Sequence, residues 1–283
     1  MKQPKKTEIN PIDVEIAKVL FNKEKSGKDT GISPISDDIM LYYNSVNIAV
    51  GKQGRGKSLL FLRELVKISK LNNPKFHLII YVNQEGTNDE TLNSIEPLID
   101  IPILKINYED AEDVVAGIID FKTFYYSLLE KGDYDIITHE QRQEVNIALN
   151  IHDDSIKQLQ TLILFDDAAF NTLFKRSDSY FNKLVTRYRH INFIFMFAVQ
   201  KFQGVSMPIK SQATSLYIYP GYTNHEISYI FNNSTVKGFN YSEFRELYKK
   251  MKEDQVLYCN SQSDELKIID MSHIRKMTAL MAA

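Results

Sequence analysis

One segment limits the folds open to this chain more than any other: Gly51-Lys52-Gln53-Gly54-Arg55-Gly56-Lys57-Ser58, set between two apolar stretches of different period. Val46-Asn47-Ile48-Ala49-Val50 before it reads as a buried strand, and Leu59 to Val66 after it has helical spacing. A glycine-rich turn from strand to helix lets successive backbone N–H groups point inward, and the helix adds the positive end of its dipole. A polyphosphate fits such a cradle. The expected binding set is Gly51, Gln53, Gly54, Arg55, Gly56, Lys57, Ser58 and Leu59. Within it Lys57 should reach the β- and γ-phosphates while the Ser58 hydroxyl ligates Mg2+. Arg55 has two readings, a contact to phosphate or to a neighbouring subunit, and a solvated loop arginine.

The rest of the sequence alternates strands with helices. Strands are expected at His77–Val82, near Ile101–Leu104, at Thr161–Phe165, Ile191–Val199 and Ser215–Tyr219, with a final pair at Gln255–Cys259 and Leu266–Ile269. Helices are expected from about Asp110 to Leu129, at Tyr180–Tyr188, and near His225–Phe231 and Tyr241–Met251. Long apolar runs such as Ile191–Val199, broken only by Asn192, belong to strands covered on both faces. The predicted fold is α/β, a P-loop NTPase of the RecA/ASCE-like kind, with a mainly parallel central sheet flanked by helices. Residues 1–44, with an amphipathic stretch at Val14–Phe21, read as an N-terminal extension. Residues 45–283 read as the P-loop domain, in which the polar, acidic stretch 132–160 is a surface insertion.

Composition narrows the function classes. A chain of 283 residues that is 43% hydrophobic can bury a sizeable core, and a net charge of −2 offers nucleic acid no global attraction. Any DNA contact must then come from a local basic patch or a ring-shaped assembly. Cys259 is the only cysteine, so the chain has no intramolecular disulfide and no multi-cysteine zinc site. The histidines lack ligand spacing, and His152-Asp153-Asp154 reads as solvated loop, so no transition-metal centre is expected. The N-terminus lacks the apolar core of an export signal, and no apolar run approaches the roughly 20 residues of a membrane-spanning helix.

A second acidic motif turns nucleotide binding toward hydrolysis. The apolar strand Leu162-Ile163-Leu164-Phe165 ends in Asp166-Asp167, the Walker B pattern that complements the Walker A loop at residues 51–58. Asp166 is the expected Mg2+-side acid and Asp167 the base that orients the attacking water. The next apolar strand ends in Gln200, placed to hydrogen-bond the γ-phosphate or the water; the plainer reading is a solvated strand end. Arg187, Arg189 and His190 precede that strand. They read equally as an arginine donated across a subunit interface and as a basic helix end favoured by the macrodipole.

Together, the Walker A loop, Leu162–Asp167 and Tyr188-Arg189-His190-Ile191-Asn192 leading to Gln200 resemble the DNA-packaging ATPases of poxviruses, other large nucleocytoplasmic DNA viruses and virophages. These belong to the FtsK–HerA superfamily, and the resemblance runs from about Val46 to Phe231. It implies that Lys57 and Ser58 contact phosphate and Mg2+, Asp166 is the metal-side acid, Asp167 the catalytic acid, Gln200 the sensor, and Arg189 the trans-acting arginine, with Arg187 and Arg176 as fallbacks. It further implies a hexameric or pentameric ring that hydrolyses ATP, with double-stranded DNA in its channel and capsid or portal proteins as partners, working in the host cytoplasm. Lys201-Phe202-Gln203-Gly204-Val205 is a candidate DNA-gripping loop beside its plainer reading as solvated loop. Ile209-Lys210-Ser211-Gln212 departs from the arginine and asparagine common in the family. The alternatives are another FtsK–HerA-type DNA pump and a P-loop small-molecule kinase.

Overall fold

In the computed structural model, residues 31–73, 75–84, 89–131, 158–168, 172–175, 179–235 and 239–272 are described. The amphipathic stretch Val14–Phe21, His152-Asp153-Asp154, most of the 132–160 insertion and Arg176 lie outside them. The first described elements are a small antiparallel pair, β1 (Ser33–Pro34) and β2 (Tyr42–Tyr43). Next come β3 (Val46–Val50), α1 (Lys57–Ser69), β4 (Phe76–Asn83), α2 (Glu90–Ile95), β5 (Ile103–Asn107), α3 (Ala111–Lys131) and β6 (Gln160–Phe165). The second half runs through α4 (Thr172–Lys175), α5 (Tyr180–Val185), α6 (Tyr188–Ile191), β7 (Phe193–Val199), α7 (Met207–Gln212) and β8 (Ser215–Ile218). It ends with α8 (Asn224–Asn232), α9 (Tyr241–Lys250), β9 (Gln255–Asn260) and β10 (Glu265–Asp270).

Eight of these strands form one sheet in the order β10-β9-β8-β3-β7-β6-β4-β5. The six from β8 to β5 are parallel, as the alternating pattern requires, and β9 and β10 extend one edge antiparallel. Side-chain alternation divides the apolar runs between two cores. Phe193, Phe195, Phe197 and Val199 of β7 point into one, with Ile163 and Phe165 of β6 and residues of α3, α5, α7, α8 and α9. Ile194, Met196 and Ala198 point into the other, with Leu162 and Leu164 and the buried face of α1, Leu60, Phe61, Leu65 and Ile68. Cys259 is buried in the first core.

The segment before β3 is held by this second core. Ile39 and Leu41 are buried in it, the Met40 N–H donates to the fully buried Glu64 of α1 at 2.8 Å, and Tyr217 Oη donates to the Met40 carbonyl at 2.9 Å. No helix among the described residues is long and apolar enough to cross a membrane.

Two local expectations are corrected. The helix expected over Tyr180–Tyr188 breaks into α5 and α6, and the strand expected from Ile191 begins at Phe193, because Asn192 takes a left-handed backbone with φ of 55°. Asparagine tolerates that conformation. The end of α6 is then satisfied by a buried lysine: Lys122 Nζ of α3 donates to the carbonyls of Ile191 at 2.8 Å and Asn192 at 3.2 Å, and to Thr161 Oγ1 at 3.1 Å.

Candidate active site

The site lies at the C-terminal ends of β3, β6, β7 and β4, where ligands bind in open parallel sheets. Its floor is the loop after β3. The Gly51 N–H donates to the carbonyl of Val199 at 3.1 Å, tying the loop to the end of β7. A side chain at Gly51 would meet Tyr219 at 3.0 Å, while Gly54 and Gly56 have φ of 71° and 87°. The first glycine is therefore demanded by a neighbour and the other two by the backbone. Gly56 caps α1, its carbonyl accepting from the Leu60 N–H at 3.0 Å and from Tyr219 Oη at 2.9 Å. Gln53 and Gly54 are exposed and Leu59 is half-buried. Arg55 reaches Glu253 at 3.8 Å, a contact that favours neither of its two readings.

Lys57 is 8% exposed and its Nζ donates to the carbonyl of Lys52 at 3.2 Å, folding back over the loop. Burial pushes its ammonium below the ordinary lysine range, while Asp166 and Asp167 pull it back up. Ser58 Oγ donates to Asp166 Oδ1 at 2.5 Å, so the last residue of the loop and the first acid after β6 meet across 108 positions of sequence. Because β7 lies between β3 and β6, its C-terminal end opens between cradle and acids. There Gln200 Nε2 donates to both carboxylate oxygens of Asp167, at 3.0 and 3.2 Å. Asp167 has a left-handed φ of 52° and its carboxylate is exposed, whereas Asp166 is drawn inward.

Three tyrosines that the sequence did not mark surround the acids and Gln200. Tyr81 of β4 donates toward Asp166 Oδ2 at 3.0 Å and contacts Asp89, whose other oxygen caps α2 through the Leu92 N–H at 3.0 Å. Tyr108 Oη donates to the Asp166 carbonyl at 2.5 Å, and Tyr222 Oη donates to the Gln200 carbonyl at 2.5 Å. Burial raises the Asp166 carboxyl above its ordinary range, and the hydrogen bonds from Ser58 and Tyr81 oppose that rise. Burial also pushes the phenols of Tyr81 and Tyr108 up, with the Asp166 charge adding to it, so both remain neutral donors. A tyrosine in an apolar run reads as core, which is why no sequence signal distinguished Tyr81.

The arginines stand elsewhere. Arg189 and His190 lie on α6 at the opposite end of β7 from Gln200, separated by about 20 Å of strand at the usual rise per residue. Arg187 is exposed just before them. The stretch after Gln200 is anchored rather than loose: Phe202 and Val205 are buried, leaving Lys201 and Gln203 exposed. Lys210 is buried too, its Nζ 5.0 Å from the Phe202 ring centroid and donating to Tyr229 Oη at 3.2 Å. In this chain the departure at Ile209–Gln212 thus has a packing role.

A glycine cradle on a helix N-terminus, an acid pair on the second strand over and a polar strand end between them define a P-loop NTPase fold of the RecA/ASCE-like kind. Among solved structures, the crystal structure of B204, the DNA-packaging ATPase from Sulfolobus turreted icosahedral virus, is similar at a TM-score of 0.50 and 15% identity, over 80% of this chain and 96% of that one. The pCW3 conjugation coupling protein TcpA, in a monomer form with ATPγS, is similar at a TM-score of 0.51 and 15% identity, over 80% of this chain and 60% of that one. At these identities the likeness is one of fold. No protein-family model and no curated protein matches the sequence.

Proposed function

We propose that this chain is an ATP-hydrolysing motor that moves double-stranded DNA, and that the DNA is a viral genome driven into a preformed capsid. The observation that carries hydrolysis is the convergence of Ser58 on Asp166 and of Gln200 on Asp167 at the mouth of one glycine cradle. ATP is the proposed substrate, with the loop from Gly51 to Leu59 as its phosphate site and Lys57 as the cation on the β- and γ-phosphates. The fold shared with a viral DNA-packaging ATPase, together with the sequence resemblance, supports the choice of DNA as the cargo.

The donor set fits Mg2+. Ser58 at the start of α1 and Asp166 just after β6 offer hard oxygens within 2.5 Å of each other, and Mg2+ binds through one or two protein oxygens together with substrate phosphates and water. When bound it would supply positive charge that offsets the negative charge developing on the phosphates. Ser58 and Asp166 would hold it, exchanging their mutual hydrogen bond for the ion. Asp167 would accept the proton of the attacking water, and its exposed carboxylate has access to that water. Gln200 donates to both oxygens of the same carboxylate and so would orient it toward that water.

Arg189 stands too far from its own cradle to touch a phosphate there, so its proposed role needs a second copy of the chain. A closed ring of copies provides that geometry at every interface. Arg187 is the nearby fallback. Capsid or portal proteins are the proposed partners and the host cytoplasm the proposed place of action. The second reading, a conjugation-type DNA pump, is favoured by the TcpA likeness.

The test measures ATP turnover with and without long double-stranded DNA, alongside the mass of the assembly in solution. DNA-stimulated turnover in a ring-sized assembly is the expected result. A monomer that ignores DNA and phosphorylates a small acceptor would overturn the motor and favour a kinase. Asp167→Asn should still bind ATP while turnover falls about 10²–10⁴-fold, the usual contribution of a positioned general base; normal turnover in that variant would refute the assigned base.

A further inference from the structure

The strand that carries Gln200 stops one residue too early to place it. β7 ends at Val199, whose carbonyl accepts from the Gly51 N–H, and beyond that point the sheet ladder no longer sets the backbone. The Gln200 carbonyl is instead held by Tyr222 Oη at 2.5 Å. Tyr222 sits on the turn after β8 and is fixed in its own right: its N–H donates to Tyr248 Oη of α9 at 2.8 Å. Tyr248 Oη in turn donates to the carbonyl of Tyr219 at 3.2 Å. Tyr219 closes the chain, its ring packed on Gly51 and its Oη donating to the Gly56 carbonyl at the cap of α1. Four hydrogen bonds through three tyrosines therefore connect the helix end of the phosphate cradle to the residue that grips Asp167.

We infer that Tyr222 is a positioning residue for ATP hydrolysis: its hydroxyl sets the reach of Gln200 toward Asp167, and Tyr248 and Tyr219 reference that reach to the cradle. This rests on the hydrolytic reading above. Tyr222 itself touches neither acid. A purely structural tyrosine would contribute to stability without regard to Gln200, whereas this one acts through the Gln200 carbonyl and so should matter only while the Gln200 side chain is present. Burial pushes the phenols of Tyr222 and Tyr248 above the ordinary range, so both stay protonated across the working pH of an enzyme.

The experiment compares the full chain with Tyr222→Phe, Gln200→Ala and the double variant, reading kcat, KM for ATP and the melting temperature of each. Tyr222→Phe keeps the ring and removes the hydroxyl. Its kcat should fall about tenfold, the effect of losing one well-placed hydrogen bond, with KM unchanged within about twofold. In the Gln200→Ala background the same substitution should change kcat no further. An unchanged kcat in Tyr222→Phe, or an equal fall with and without Gln200, would overturn the role. Should Tyr222→Phe fail to fold, Tyr248→Phe removes the middle of the chain and must show the same dependence on Gln200. A wild-type chain without ATPase activity would bring down the hydrolytic reading and this role with it; an active wild type with indifferent tyrosine variants would bring down this role alone.

Discussion

Replacing Lys57 by methionine should separate the stability of the empty fold from its response to nucleotide. Lys57 is an almost fully buried ammonium that donates to the carbonyl of Lys52 at 3.2 Å. The Lys52 carbonyl also accepts from the Arg55 N–H at 3.4 Å, so it keeps a partner when the ammonium is removed. Burial disfavours the charged form of Lys57, and methionine keeps the length of the side chain without the desolvated charge. The melting temperature without nucleotide should therefore hold or rise. With ATP and Mg2+ the opposite is expected. At about 100 times Kd a ligand stabilises by roughly 2.7 kcal/mol, which for a chain of this size raises the melting temperature by about 5–11 °C. Losing a charge-assisted hydrogen bond of about 2 kcal/mol weakens binding roughly 30-fold. At the same ATP concentration about 0.9 kcal/mol of stabilisation then remains, or a shift of about 2–4 °C. Differential scanning fluorimetry over an ATP series reads both quantities. A nucleotide shift that survives in Lys57→Met would show that Lys57 does not face the phosphates. A collapse of the nucleotide-free protein would show that it supports the loop.

Gly51→Ala and Gly54→Ala should fail for different reasons and by different amounts. The first places a methyl 3.0 Å from a Tyr219 ring held at both ends and should cost about 1–3 kcal/mol, whereas the second meets nothing within 4 Å and carries only the left-handed penalty of about 1 kcal/mol. Thermal melts without nucleotide rank them, and a costlier Gly54→Ala would contradict the packing argument. Lys122 provides a pH test, since burial holds its pKa well below the ordinary lysine value of 10.5. In the window between the lowered folded value and 10.5 the unfolded chain binds more protons, so stability contributed at this site rises as pH rises. Lys122→Met should flatten the dependence of melting temperature on pH between about 8 and 10 relative to wild type, and parallel curves would refute it.

Particular residues show how far the sequence was legible. Residues 51–58 announced a strand, a turn and a helix because glycine and lysine at those spacings satisfy a local demand, the curl of a few N–H groups at a helix end. The apolar runs at Leu162–Phe165 and Phe193–Val199 announced buried parallel strands for an equally local reason, the absence of any polar residue to face water. Asn192 was misread as strand, since its left-handed turn is stabilised by Lys122, some 70 positions earlier. The stretch Lys201–Val205 looked loose for a similar reason: the partners of Phe202, Lys210 and Tyr229, lie on α7 and α8.

What the sequence by itself determined is therefore the list of chemical groups, a phosphate cradle, two acids, a glutamine and a set of arginines, since each is written in a few adjacent residues. Which of them meet was decided by the order of strands. Only with β7 between β3 and β6 does Gln200 open onto Asp167 and Ser58 onto Asp166, while Arg189 is carried to the far end of the same strand. The tyrosines that hold the acids and Gln200 in place belong wholly to the tertiary structure, because a phenol becomes a hydrogen-bond donor to such a site only when the fold brings the acceptor to it.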